Sequence, residues 1–323
     1  MLVVVLALLC GLYAFVAVVD PWDTLPLSPR LPRVPISSNA RFSHPAIARN
    51  PRFDAAVFGT STARLLRPVD LDPLFGARFA NLAMNSATAW EQTELLGVFL
   101  RAHPTPRAVL IDMDGAWCGP VAERLTPRPF PAWMYGTNRW AGYREMLTPY
   151  AVQEAANQAM VMLHLQRQRY GSDGYTSFVP PDEAYDPARV DAAFARWPAT
   201  DQTPVSGDGE AFPALALLGP ALRAIPAGAR VVLFFPPAHV EQQGEAGSRT
   251  AVRWAECKRR VVAIAGGWAI AGGRAAVVDM LVPSAITRDR ANYWDPLHYR
   301  VAVAGRIAAL LGGADGEEAR VLR

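Results

Sequence analysis

Three residue types that can act together as a nucleophile, a base and an orienting acid occur at two places in the chain. Ser61 lies in Phe58-Gly59-Thr60-Ser61-Thr62, directly after a short apolar run. Asp295 and His298 lie in Trp294-Asp295-Pro296-Leu297-His298, directly before the last apolar, helix-like segment. A serine hydroxyl is a weak nucleophile until a neighbouring base takes its proton, and the base needs a carboxylate to fix its tautomer. An Asp and a His three residues apart in one turn supply both. Each motif also has a plain reading. Thr-Ser-Thr before a helix is an ordinary N-cap, and Asp-Pro is an ordinary surface turn. Position favours chemistry, because both motifs fall at strand–helix junctions.

Those junctions follow from the hydrophobic pattern. Short apolar runs at 54–58, 78–82, 108–112, 230–235 and 275–279 read as strands, and helical segments separate them. Thr88 and Glu91 fit a capping box for a helix over about 89–101, and Gly312-Gly313 ends a helix that starts near Tyr299. A helix is also expected directly after Ser61, with its positive end toward the hydroxyl. Alternation of this kind implies an α/β domain: a parallel, doubly wound sheet with helices on both faces, in three layers. Ligands of such sheets gather at the carboxyl ends of the strands. Residues 115–215 break the rhythm and read as an insertion, with a helix near 152–168, placed as a lid or substrate platform.

The ends of the chain have other tasks. Leu2 to Val19 form a charge-free apolar run, about 27 Å long as a helix, which is enough for a thin hydrocarbon core. The alternatives are a cleaved signal peptide and an uncleaved anchor; the run ends Phe-Val-Ala-Val-Val, without a small-x-small cleavage site, and favours the anchor. Residues 20–50 hold five prolines between Asp20 and Asn39 and read as an extended linker that keeps the body, 51–323, off the membrane. Arg30, Arg33 and Arg41 follow the run and nothing basic precedes it, so the positive-inside rule alone puts the body in the cytoplasm. The net charge of +3 and the lack of a basic–aromatic stripe argue against nucleic acid. Of three cysteines, Cys10 lies in the apolar run, while Cys118 and Cys257 could pair in an oxidising compartment. No Cys/His spacing suggests a metal, and no cofactor motif stands out.

Taken in order, VFGTSTARLL near the start of the body, FANLAMNSATAWEQTELL after it, and DPLHYRVAVAGRIAALL near its end resemble the SGNH (GDSL-like) hydrolases. The likeness covers about 53–115 and 228–312. Within the family, the second segment is similar to membrane-anchored envelope members, which include proteins of polysaccharide O-acetylation and teichoic acid D-alanylation. The resemblance implies a flavodoxin-like layout, with Ser61, Asp295 and His298 as a catalytic triad. It also implies a body outside the cytoplasmic membrane, a carbohydrate or acyl-ester substrate, and a membrane-bound O-acyltransferase as partner. The expected activity is that of a serine esterase or O-acyltransferase on acyl groups, such as acetyl, of an envelope polysaccharide; the alternatives are a non-catalytic partner of such an acyltransferase and an anchored domain whose Ser and His never meet. The second block reads Met84-Asn85-Ser86-Ala87, with Ser86 where glycine is expected. The third reads Ile111-Asp112-Met113-Asp114-Gly115, with no asparagine. Candidate oxyanion donors are therefore the Ser61 amide, Asn85 and Ser86. Candidate substrate contacts are Arg64, Asp112, Asp114, His239 and Trp117, the last with other aromatics of the insertion (Trp133, Tyr135, Trp140) that could stack on sugar rings.

Overall fold

The computed structural model describes residues 1–205, 209–270 and 272–322. The apolar run forms α1 (Leu2–Val19), and α2 (Ala40–Arg49) leads into the body. The first half of the body then runs β1 (Ala55–Phe58), α3 (Pro68–Phe75), β2 (Phe79–Asn81), α4 (Ala89–Ala102) and β3 (Ala108–Asp112). The insertion holds α5 (Gly115–Cys118), α6 (Ala132–Tyr135), α7 (Gly142–Glu145), α8 (Pro149–Met162) and α9 (Pro187–Arg196). After it come α10 (Leu218–Ala224), β4 (Arg230–Phe235), α11 (Arg249–Ile270), β5 (Arg274–Asp279), α12 (Ala285–Arg288), α13 (Val301–Gly312) and β6 (Arg320–Leu322).

The six strands form one sheet in the order β2-β1-β3-β4-β5-β6. The first five are parallel, and β6 pairs antiparallel with β5. Successive strand residues point to opposite faces, and both faces are covered. Phe58, Ile111, Leu233 and Phe235 pack with residues of α2, α4, α8, α10 and α11. Val57, Leu110, Val232 and Phe234 pack with residues of α3, α9 and α13. This double burial is why the strands read as unbroken apolar runs rather than alternating ones. The edge strand β6 has no such run and was not expected; it is three residues long and largely exposed.

Two expectations are corrected. The segment 20–50 is not an extended linker throughout. Residues 40–49 form α2, capped by the Asn39 side chain and packed on α4. Pro45 sits inside this helix, where it leaves the Arg41 carbonyl without its helical donor; the Tyr135 hydroxyl donates to that carbonyl instead, at 3.0 Å. Arg41 itself is buried and pairs with the buried Glu91, Nε to Oε1 at 2.8 Å. Glu91 also completes the expected capping box at Thr88. The body is not held off α1 either: Val16 and Val19 are buried, and α1 packs on α8.

The second correction concerns the residues after Ser61. No α-helix begins there. One 3-10 turn, Ala63–Leu65, follows, and α3 starts only at Pro68. The residue before a proline is pushed out of the helical region, and Arg67 accordingly has φ −85° and ψ 128°. A disulfide joins Cys118 at the end of α5 to Cys257 on α11, tying the insertion to the helix that precedes β5.

Candidate active site

Ser61 is presented by a turn held from four sides. Gly59 is needed because a Cβ there would lie 2.5 Å from the Asp112 Cβ and 2.6 Å from that of Ala63. At the end of β3, Asp112 Oδ2 accepts the Thr62 hydroxyl at 2.6 Å, and Asp114, just after β3, accepts the Thr60 hydroxyl. The Tyr299 hydroxyl donates to the Thr62 carbonyl at 2.6 Å. The Met84 amide donates to the Gly59 carbonyl at 3.0 Å, which ties the Asn85–Ser86 turn to the same place. Thr60, Thr62 and Tyr299 were not singled out from the sequence. The threonines flank Ser61 in the same motif, and that flanking was the available signal.

The Asp295–His298 turn is equally fixed. Asp295 Oδ1 accepts from the amides of Leu297 and His298, both at 2.9 Å. Its Oδ2 lies 2.7 Å from His298 Nδ1, and His298 Nε2 lies 2.8 Å from Ser61 Oγ. The carboxylate accepts only, so Nδ1 carries the proton and Nε2 is left to accept from the serine. Burial raises the Asp295 pKa, but the hydrogen bonds from the His298 ring and the two amides outweigh it, and the carboxyl is held below its usual range. Phe178 and Trp197, both from the insertion, set their rings edge-on to the imidazole at 5.3 and 6.4 Å.

The Asn85 side-chain amide has a defined orientation. Its Oδ1 accepts from Arg64 Nη1 at 3.0 Å. A guanidinium can only donate, so Nδ2 is the free end. Arg41 Nη1 and Nη2 donate to the carbonyls of Asn85 and Ser86, both at 3.3 Å. Ser86 has φ +55°, the left-handed region in which glycine is the usual residue. That is the position where the resemblance implies glycine. Among the described residues, no acceptor takes the amides of Ser61, Asn85 or Ser86, or Asn85 Nδ2. Arg64 is buried with no carboxylate partner among the described residues. Burial lowers its pKa, and its guanidinium lies 6.0 Å from the Phe178 ring.

A cavity of about 690 Å³ opens at Ser61 and is lined by Thr60, Ser86, Trp90, Asp114, Arg124 and Leu217 among others. Asp114 is thus a wall of the site, whereas Asp112 is wholly buried beneath the serine turn, with Oδ1 unpaired. Burial, and then the Asp114 charge, push Asp112 well above the usual carboxylate range. Burial pushes Asp114 up to about 6, against the hydrogen bonds from Thr60 and the Ala116 amide. A pH dependence follows. An unfolded Asp titrates at about 3.9, so between about pH 4 and 6 the folded chain holds the Asp114 proton more tightly than the unfolded one. Its contribution to stability is full below that window and is lost as the pH rises through it. Asp114→Asn keeps the cap of α5 and removes the proton. We expect the stability difference, variant minus wild type, to rise across pH 4–6 in urea unfolding of the full chain in detergent. Parallel curves would show that Asp114 is already ionised at pH 4.

Two expected substrate contacts are placed elsewhere. Trp117 is buried in the core, its indole N–H on Gln92 Oε1 at 3.0 Å, so it offers no face to a sugar. His239 is buried against Phe194 and Tyr293, with its Nδ1 capping a turn at the Glu241 amide. Its backbone amide, rather than its ring, serves the site by donating to the Pro296 carbonyl at 2.9 Å. Of the other aromatics, Tyr135 is buried and donates to the Arg41 carbonyl, and Trp133 packs near Trp22. Among the described residues, no group of three His, Cys, Asp or Glu side chains is arranged to hold a metal ion. No protein-family model matches the chain, and no curated protein matches it.

Proposed function

We propose that the chain is a membrane-anchored serine esterase or O-acyltransferase of the SGNH type, working outside the cytoplasmic membrane on acyl groups of an envelope polysaccharide. The observation that carries this reading is the unbroken relay from Asp295 through His298 to Ser61, at 2.7 and 2.8 Å. The strand order β2-β1-β3-β4-β5 supports an SGNH-like, flavodoxin-like layout. In such a sheet the crevice lies where the order reverses, between β1 and β3. Ser61 follows β1, and Asp114 follows β3. The Cys118–Cys257 bond supports an oxidising compartment against the positive-inside reading of the flanking arginines.

In this reading Ser61 Oγ attacks the acyl carbonyl carbon while His298 Nε2 takes its proton. The oxyanion forms beside the free amides of Ser61 and Ser86 and the Asn85 side-chain amide. Collapse expels the sugar oxygen, which takes the proton back from Nε2, and leaves an ester on Ser61. A water or a second sugar hydroxyl then gives its proton to Nε2 and attacks that ester; collapse breaks the bond from the acyl carbon to Ser61 Oγ, which takes the proton back from Nε2, and the acid or the acylated sugar leaves.

One observation favours a second reading, a non-catalytic partner of a membrane-bound acyltransferase. Asp114 stands in the block where the resemblance implies an asparagine donor, and its carboxyl accepts from Thr60 and Ala116. A fluorophosphonate separates the two readings. With full-length protein in detergent, the enzyme reading expects covalent label on the peptide that contains Ser61. Folded protein that takes no label there favours the partner. In labelled protein, acylated oligosaccharide as product indicates a transferase, and free acid alone indicates an esterase.

A further inference from the structure

We propose that α7 and the turn into α8 lie within the lipid–water interface of the membrane that holds α1, so that the body rests in the bilayer surface rather than above it. The inference rests on the reading of α1 as an anchor. Tyr13 Oη donates to the Tyr143 carbonyl at 3.2 Å, and Val16 and Val19 are buried against the body. The grip therefore covers the last two turns of α1, about 9 Å from Tyr13 to Val19. The side of this stretch that the body leaves uncovered is still apolar, with Phe15 and Val18 exposed. Apolar side chains of a span lie among the acyl chains or at their border with the headgroups. The protein surface beside Tyr13 therefore sits at that depth.

That surface has the chemistry such a depth requires. Trp140 is 58% exposed and stacks on Tyr143 at 5.7 Å. Leu147, just beyond α7, is exposed, and so is Leu27, whose amide donates to Tyr143 Oη at 3.3 Å. On the free side of α1 itself, Phe15 and Val18 are exposed next to the gripped stripe. Tryptophan and tyrosine sit at membrane interfaces because each has an apolar body and a polar tip. Arg33 donates to the carbonyls of Val19 and Val18 at 2.6 and 3.1 Å, and Asp20 closes the helix. Arg144, exposed beside Tyr143, can reach lipid phosphate.

The test uses full-length protein in liposomes. Cys10→Ser leaves the disulfide pair as the remaining cysteines, and one new cysteine carries an environment-sensitive dye. Phe15→Cys reports on the anchor, Trp140→Cys on α7, and Val69→Cys on α3, across the sheet. We expect dye at positions 15 and 140 to shift to the blue and to be quenched by nitroxide-labelled lipids, and dye at 69 to do neither. Quenching at 15 without quenching at 140 would leave the anchor intact and overturn the interfacial α7. Absence of quenching at both would overturn the anchor and the inference with it. A blue shift at 140 that nitroxide lipids do not quench would mean that a second protein copy, not lipid, covers this face.

Discussion

Ser61→Ala is expected to lower turnover of an activated acyl ester by about 10⁴–10⁶-fold, the range in which losing the nucleophile of a triad falls. The geometry makes this a clean experiment. Among the described residues, the only hydrogen bond of Ser61 Oγ is to His298, while Thr60, Thr62 and the main chain hold the turn. Removing the hydroxyl therefore costs stability of about 1 kcal/mol and leaves the turn in place. Steady-state hydrolysis of a nitrophenyl ester by full-length protein measures the fall, and urea unfolding shows that the variant is folded. A variant that keeps a tenth or more of the activity would mean that surface histidines or hydroxide, rather than this site, do the chemistry. The effect of Ser86→Ala should be far smaller: its side chain lines the cavity, but its candidate contribution is the main-chain N–H.

The strands and both chemical motifs were legible in the sequence because their causes are local. Buried parallel strands leave unbroken apolar runs, and β1, β3, β4 and β5 fall within two residues of those runs. The capping box at Thr88 and Glu91 needs only two residues three apart. The Asp295–His298 turn needs the same, and its own amides close it. What the sequence hid depends on distance. Arg41 and Glu91 are 50 residues apart, and proline-rich surroundings made Arg41 look like part of a linker. Its two bonds to the Asn85–Ser86 turn make that segment a support of the site instead. Arg64 orients Asn85 from 21 residues away, and Phe178 and Trp197 reach His298 from an insertion with little periodicity. Trp117 went the other way: read among the aromatics that could stack on sugar rings, it is closed inside the core.

Asp295→Asn tests whether the carboxylate is part of the machinery or only part of the loop. Asparagine can still accept the amides of Leu297 and His298 through Oδ1, so the turn should persist. Its NH₂ would then face His298 Nδ1 as a donor. To accept that bond the imidazole has to move its proton to Nε2, which then points at Ser61 as a donor and can no longer take a proton. The expected loss is about 10⁴-fold in kcat, with KM little changed, because a wrong tautomer spoils the transition state and not the binding. Stability gives an independent reading with a defined sign. The Asp295 carboxyl is held below its usual range in the fold, so its ionised form stabilises the native state above about pH 4. That contribution is lost as the pH falls through the depressed value. The variant lacks it, so wild type should be the more stable at pH 7, and the two should converge in acid. A loss of activity under tenfold, with the stability difference still present, would assign Asp295 to holding the loop and leave His298 oriented by its surroundings alone.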